Sequence, residues 1–178
     1  MPPNAKFQLE TFLSEMDSLE ALEKKATEQM KSVVEERHAQ ERDCAQSVPG
    51  VGPVTSSAFL LEIPQLKRIN NRRELAQLIG LAPLKRRSAD REKQCGRGHG
   101  GKKKVRSLLI EASWRWIGKD PGARKIYERI CAGKQNRRKK AIVALARRLA
   151  IILWHLVKEG RFYKQFDVYQ LQTARQEF

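Results

Sequence analysis

The chain has 178 residues, 40% of them hydrophobic, and carries 36 Lys and Arg against 20 Asp and Glu, a net charge of +16. That is enough apolar material for one moderate domain with its own core and an appendage. No stretch approaches the uninterrupted apolar length of a membrane span, and the N-terminus lacks a charged-then-apolar signal pattern. Cys44, Cys95 and Cys131 are odd in number and far apart, which argues against a disulfide framework. Cys95 and His99 have no second pair at ligand spacing, which argues against zinc. A cytosolic location and a polyanionic partner are expected.

The charge is uneven: residues 1–47 hold six basic and ten acidic side chains, a net of −4, and residues 48–178 hold 30 and 10, a net of +20. From Phe7 to about Asp43 there is no internal Gly or Pro, and Phe12, Met16, Leu19, Ala26, Met30 and Val33 recur at spacings of three, four and seven. Glu23 interrupts that stripe. The pattern predicts one long acidic amphipathic helix, either a coiled-coil arm over residues 1–47 through which the chain forms a homo-oligomer or a helix lying against the basic part, and the few apolar positions favour the arm.

Next comes "SVPGVGPVTSSAFLLEI", Ser47 to Ile63, with Gly50 and Gly52 two apart and prolines beside them. Glycine permits positive φ and close approach to the backbone, and a helix N-terminus presents free N–H groups that suit a phosphate. A plain turn between two helices is the alternative. With the basic excess of the segment, the phosphate reading is favoured, and Gly50, Val51, Gly52 and Thr55 are its candidate residues.

A short helix then runs to about Pro64, and "NRRELAQLIG" makes another, with Leu75, Leu78 and Ile79 inward and Gly80 as its stop. Leu81 to Lys104 has four glycines, a dense run of Lys and Arg and almost no apolar residues. It reads as a long basic functional loop without regular structure. Lys85, Arg86, Arg87, Arg91, Arg97, Lys102, Lys103, Lys104 and Arg106 are candidate nucleic-acid contacts.

Val105, Leu108, Leu109, Ala112 and Trp116 mark the next helix. Asp120 as N-cap and Pro121 at the first helical position start another, with Ile126 and Ile130 inward. The clearest stripe is Ile142, Leu145, Ala146, Leu149, Ile152, Leu153 and Leu156, closed by Gly160, with Arg147 and Arg148 facing away from it. Trp114 and Trp154 lie off their helices' stripes, where packing or a dimer contact is favoured over base stacking. Residues 164–178 read as a tail. No strand pattern stands out, so an all-α fold is expected: the arm, then a compact helical domain over 48–163 containing a helix-hairpin-helix element and the basic loop.

In order and spacing, "PGVGPVTSSAFLLEI", "ELAQLIGLAP", a serine five residues past Pro83, "HGGKKKVRSLLIEAS" and "KKAIVALARRLAIILWHLVKEGRFY" resemble the C-terminal domain of one transposase family. Its members are insertion-sequence recombinases, related to the pilin-gene invertase, that join an N-terminal RuvC-like nuclease domain to a serine-bearing C-terminal domain and act with a structured guide (bridge) RNA. The resemblance covers about Val48 to Tyr163. It implies DNA and a guide RNA as partners, and Ser88 at the catalytic position, where a hydroxyl attacks a DNA phosphodiester to form a phosphoserine link. Lys85, Arg86, Arg87, Arg91 and Lys102 could supply positive charge to that transition state. Ala89 stands where the family usually has glycine. The resemblance places a divalent metal on acidic residues of the RuvC-like domain, so none is expected in this chain. With only a helical arm before Val48, the sequence resembles a truncated transposase, an isolated domain or a decayed gene, for which a non-catalytic nucleic-acid-binding module is the alternative.

Overall fold

The computed structural model describes residues 3–63, 66–88, 91–97 and 100–164. Helix α1, Pro3–Gln46, is one element with a break in its helical backbone at His38 (φ −141°, ψ 30°). Its first part carries Phe7, Leu9, Phe12, Leu13, Met16, Leu19 and Leu22, all about half-exposed or more. Its last turns belong to the core, where Val34, Cys44 and Ala45 are buried. The packed body therefore begins before residue 47, and residues 3–33 extend from it for about 45 Å at 1.5 Å per residue.

Helix α2, Pro53–Glu62, lies on α1 and on α4, Lys103–Lys119. Helix α3, Arg72–Ile79, starts with a reciprocal cap: the Asn71 side chain accepts from Glu74 N at 2.7 Å, and Asn70 N donates to Glu74 Oε2 at 3.2 Å. The helix ends on Gly80 in the left-handed region. Leu75 and Ile79 are buried as expected, but Leu78 is 42% exposed. It lines a surface depression with Ile63 and Ile69, because the eight residues of α3 make only two turns and its inward face is filled by Leu75, Ala76 and Ile79.

Helix α5, Pro121–Cys131, and helix α6, Arg138–Glu159, complete the body, which is all-α. Every apolar residue of the expected α6 stripe is buried, and Leu145, Leu149 and Leu153 are fully so, which makes α6 the central helix against α1, α3, α4 and α5. Trp154, off that stripe, is nevertheless buried, because its indole N–H donates to Leu66 O at 3.0 Å across the body. Trp114 remains 47% exposed, edge-on to Tyr127.

The stretch expected as an irregular basic loop is different. Pro83–Ser88 (β1) and Arg91–Arg97 (β2) pair as an antiparallel β-hairpin, with Ser88 opposite Arg91 and an irregularity between Pro83 and Lys85. Helix patterns surround this segment, and its charged residues hide the period-2 signal that would mark a half-buried strand.

Tyr163 ties the segment after α6 to the buried Asp120 carboxylate and to the end of α1. Asp120 accepts from Gly122 N at 2.6 Å and Ala123 N at 3.1 Å as the N-cap of α5, and from Trp116 Nε1 at 3.2 Å. Tyr163 OH donates to it at 2.5 Å, and Tyr163 N donates to Ser47 Oγ at 2.8 Å. The segment after α6 is thereby fastened to the end of α1. Among the described residues no helix is long and apolar enough to cross a membrane, and no cluster of His, Cys, Asp and Glu could hold a metal ion.

Candidate nucleic-acid interface

The glycine turn between α1 and α2 has a structural reason for its first glycine. Gly50 has φ +94°, and a Cβ there would lie 2.7 Å from Trp116 N and 3.0 Å from Ala112 O, so its bare backbone serves close packing on α4. Val51 is buried and its N–H is already given to Val48 O at 3.1 Å; the Thr55 side chain is buried as well. The Cβ direction at Gly50 and the side chains of Val51 and Thr55 are thus taken up by packing, a role for these expected phosphate contacts that the sequence did not suggest. Gly52 differs: nothing lies within 4 Å of where its Cβ would be, and it opens α2 without a side-chain cap. Ser56 N is the first donor of the helix, to Gly52 O at 3.0 Å, so the N–H groups of Gly52, Val54 and Thr55 have no intrahelical partner, and Pro53 has none to give. The first turn of α2 contains no acidic residue.

The β-hairpin is anchored at its foot. Its outgoing stem leaves at Gly80 (φ +77°) and its returning stem arrives at Gly101 (φ +88°), where the two backbones cross so closely that a Cβ on Gly101 would lie 2.5 Å from Gly80 N. Lys102 N donates to Leu78 O at 3.0 Å. The Arg106 guanidinium, only 7% exposed, bridges the stems through Gly100 O at 3.1 Å and Gly80 O at 3.5 Å. Arg106, expected to touch nucleic acid, is instead a buried clamp, because a side chain one turn into α4 points back toward the crossing and meets two carbonyls there.

Of the other expected residues, Lys103 and Lys104 are exposed in the first turn of α4, which has no acidic residue and no side-chain cap. Lys102 Nζ forms an ion pair with Glu62 Oε2 at 3.2 Å, so it faces α2. Lys85, Arg86, Arg87, Arg91 and Arg97 all lie on the hairpin strands, and Ser88 is the last residue of β1. The structure gives their backbone register; their side chains, and Ala89, Asp90 and His99 entirely, lie outside the described residues, as do residues 165–178 of the tail. Burial pushes the Cys44 thiol up, with Asp43 and Glu41 adding to it, which keeps that cysteine protonated and unreactive.

A further basic group shows in the sequence only as a charge run leading into the clearest helix. Lys134, Arg137, Arg138, Lys139 and Lys140 follow one another through the 3₁₀ turn Gln135–Arg137 into α6, and all five are exposed.

Residues 42–128 match the family described as "Transposase IS116/IS110/IS902 family". The chain is similar to the putative transposase y4rJ of Sinorhizobium fredii, 33% identical over 129 residues, which cover 66% of this chain and 32% of that protein. It is similar to the transposase for insertion sequence element IS1111A of Coxiella burnetii, 28% identical over 127 residues, 68% of this chain and 35% of that protein. The insertion element IS110 uncharacterized 43.6 kDa protein of Streptomyces coelicolor is 27% identical over 119 residues, 66% of this chain and 29% of that protein. The chain spans about a third of the length of the curated relatives it matches.

Proposed function

We propose that this chain, whose residues 42–128 carry a transposase domain of the IS116/IS110/IS902 family, is the DNA-gripping, serine-bearing part of a transposase. The observation that carries the reading is the anchored hairpin. A strand-transfer nucleophile has to be held at a fixed place relative to the DNA backbone, and Ser88 ends β1 of a hairpin whose foot is crossed backbone on backbone and clamped by Arg106. Exposed Lys103 and Lys104 beside that foot, and the free main-chain N–H groups of Gly52 and Val54, are phosphate contacts that position DNA without reading its sequence.

In this reading the Ser88 hydroxyl attacks a DNA phosphodiester, its proton leaves, the phosphorus–oxygen bond to the departing DNA hydroxyl breaks, and a phosphoserine link remains. Turnover needs a RuvC-like domain, with its own divalent metal, and a guide RNA. Supplying that domain and RNA in trans with a nicked suicide DNA should trap a protein–DNA adduct on the wild-type chain. Ser88→Ala should lose the adduct and keep DNA affinity within about twofold, since one hydroxyl adds little against many phosphate contacts. An adduct that persists in Ser88→Ala, or maps to Ser107 or Ser113, would reject the serine. The second reading, a non-catalytic binding module, would then stand, with the exposed basic residues in its favour.

The arm supports a homo-oligomer. Leu9, Phe12, Met16 and Leu19 are 49%, 61%, 55% and 63% exposed on a helix too long to stand unaided. Light scattering at micromolar concentration should give a dimer or larger species for the full chain and a monomer once residues 1–33 are deleted. A monomeric full chain would refute the assembly role of the arm.

A further inference from the structure

The five exposed cations at the α5–α6 corner stand in a place that works against folding. The first turn of α6 contains no acidic residue and no side-chain cap, so Arg138, Lys139 and Lys140 sit at the positive end of the helix dipole, where cations are unfavourable. Several other cations of the chain have a carboxylate partner: Lys102 with Glu62, Arg42 with Glu35 and Asp43, Arg115 with Glu111, Arg161 with Glu159. At the corner, among the described residues, the one polar side-chain contact is Arg138 Nη1 donating to Gln135 Oε1 at 3.3 Å. Neighbouring α5 adds exposed Arg124, Lys125 and Arg129 and a single carboxylate, Glu128. Local rules broken without compensation inside the fold point to a ligand outside it.

We infer that the α5–α6 corner is a second phosphate-binding surface for duplex DNA, separate from the hairpin and the glycine turn. The inference rests on the DNA reading above. The far end of α6 is fixed beside the glycine turn, since Tyr163 bonds Ser47. With 22 residues, α6 places the corner about 33 Å from that end, close to the roughly 34 Å of one duplex turn. A continuous duplex can therefore offer a backbone to both places one turn apart. The contact carries charge and no base readout.

The test compares two variants of equal charge: Arg137→Gln, Arg138→Gln, Lys139→Gln and Lys140→Gln together, against Lys6→Gln, Lys24→Gln, Lys25→Gln and Lys31→Gln in the arm. Affinity for a 30-base-pair duplex and for an RNA stem-loop is titrated across a salt series, and the free proteins are melted. The corner variant should lower the slope of log affinity against log salt by about 3 to 4 on the duplex, at close to 0.9 per phosphate contact. It should melt at the same temperature as the parent or higher, because the conflict with the dipole is relieved. The arm variant should leave the slope unchanged. An unchanged slope in the corner variant, equal losses in both variants, or a loss confined to the RNA would each overturn the corner as a DNA surface. A parent that fails to bind duplex at low salt would instead overturn the DNA reading of the whole chain, and the corner with it.

Discussion

Gly50→Ala is expected to destabilise the body by about 2–4 kcal/mol, whereas Gly52→Ala, two residues away, should cost under about 1 kcal/mol. The added methyl at residue 50 meets the backbone of α4 at 2.7 and 3.0 Å, and a backbone atom cannot swing aside as a side-chain tip can. Positive φ adds its own strain. At residue 52 the methyl enters open space and φ is −97°, which any L residue accepts. Chemical denaturation of the two variants separates these effects. DNA titration of the folded Gly52→Ala chain then tests the main-chain phosphate contact without interference from unfolding: a several-fold loss is expected from crowding the α2 N-terminus, and unchanged affinity would leave the turn with a packing role alone.

Gly101→Ala should release the β-hairpin from the body. The new Cβ would lie 2.5 Å from Gly80 N and 2.7 Å from Leu78 O, at φ +88°, so the two stems would have to part by a large fraction of an ångström and the Lys102 N to Leu78 O bond would go with them. A local loss of about 3 kcal/mol follows from overpacking plus backbone strain. Hydrogen exchange should show amides 81–104 opening much faster than in the parent while those of α6 keep their protection. In the reconstituted assembly, adduct formation at Ser88 should fall at least tenfold with duplex affinity nearly kept. Loss of protection in α6 as well would mean that the crossing supports the whole body. Arg106→Lys gives a graded version, because both carbonyls are met by the one Nη1 and the lysine ammonium, on a side chain one bond shorter, falls short of that position.

The helices were legible because their information is local. The stripe of α6, the Asp120–Pro121 start of α5 and the Gly80 and Gly160 stops all lie within a few residues of what they determine, and periodicity and capping read them directly. Net charge was legible for the same reason, since it needs only addition along the chain, and the ordered blocks from "PGVGPVTSS" to "EGRFY" pointed to a transposase family. What a residue faces is a different kind of fact. Gly50 and Gly52 look alike in sequence, and only the approach of α4, more than 60 residues later, makes one a packing contact and leaves the other open. Arg106 reads as one more cation in a basic run, and becomes a buried clamp because the carbonyls of Gly80 and Gly100, 20 residues apart, meet in front of it. Trp154 lies off its own helix's stripe but is covered by the segment around Leu66. Composition and period determined which elements form and that the surface is basic. Contacts between residues distant in the chain decided which glycine is packed against a helix and which arginine is buried, since burial depends on what packs against a side chain and no local window contains its partner.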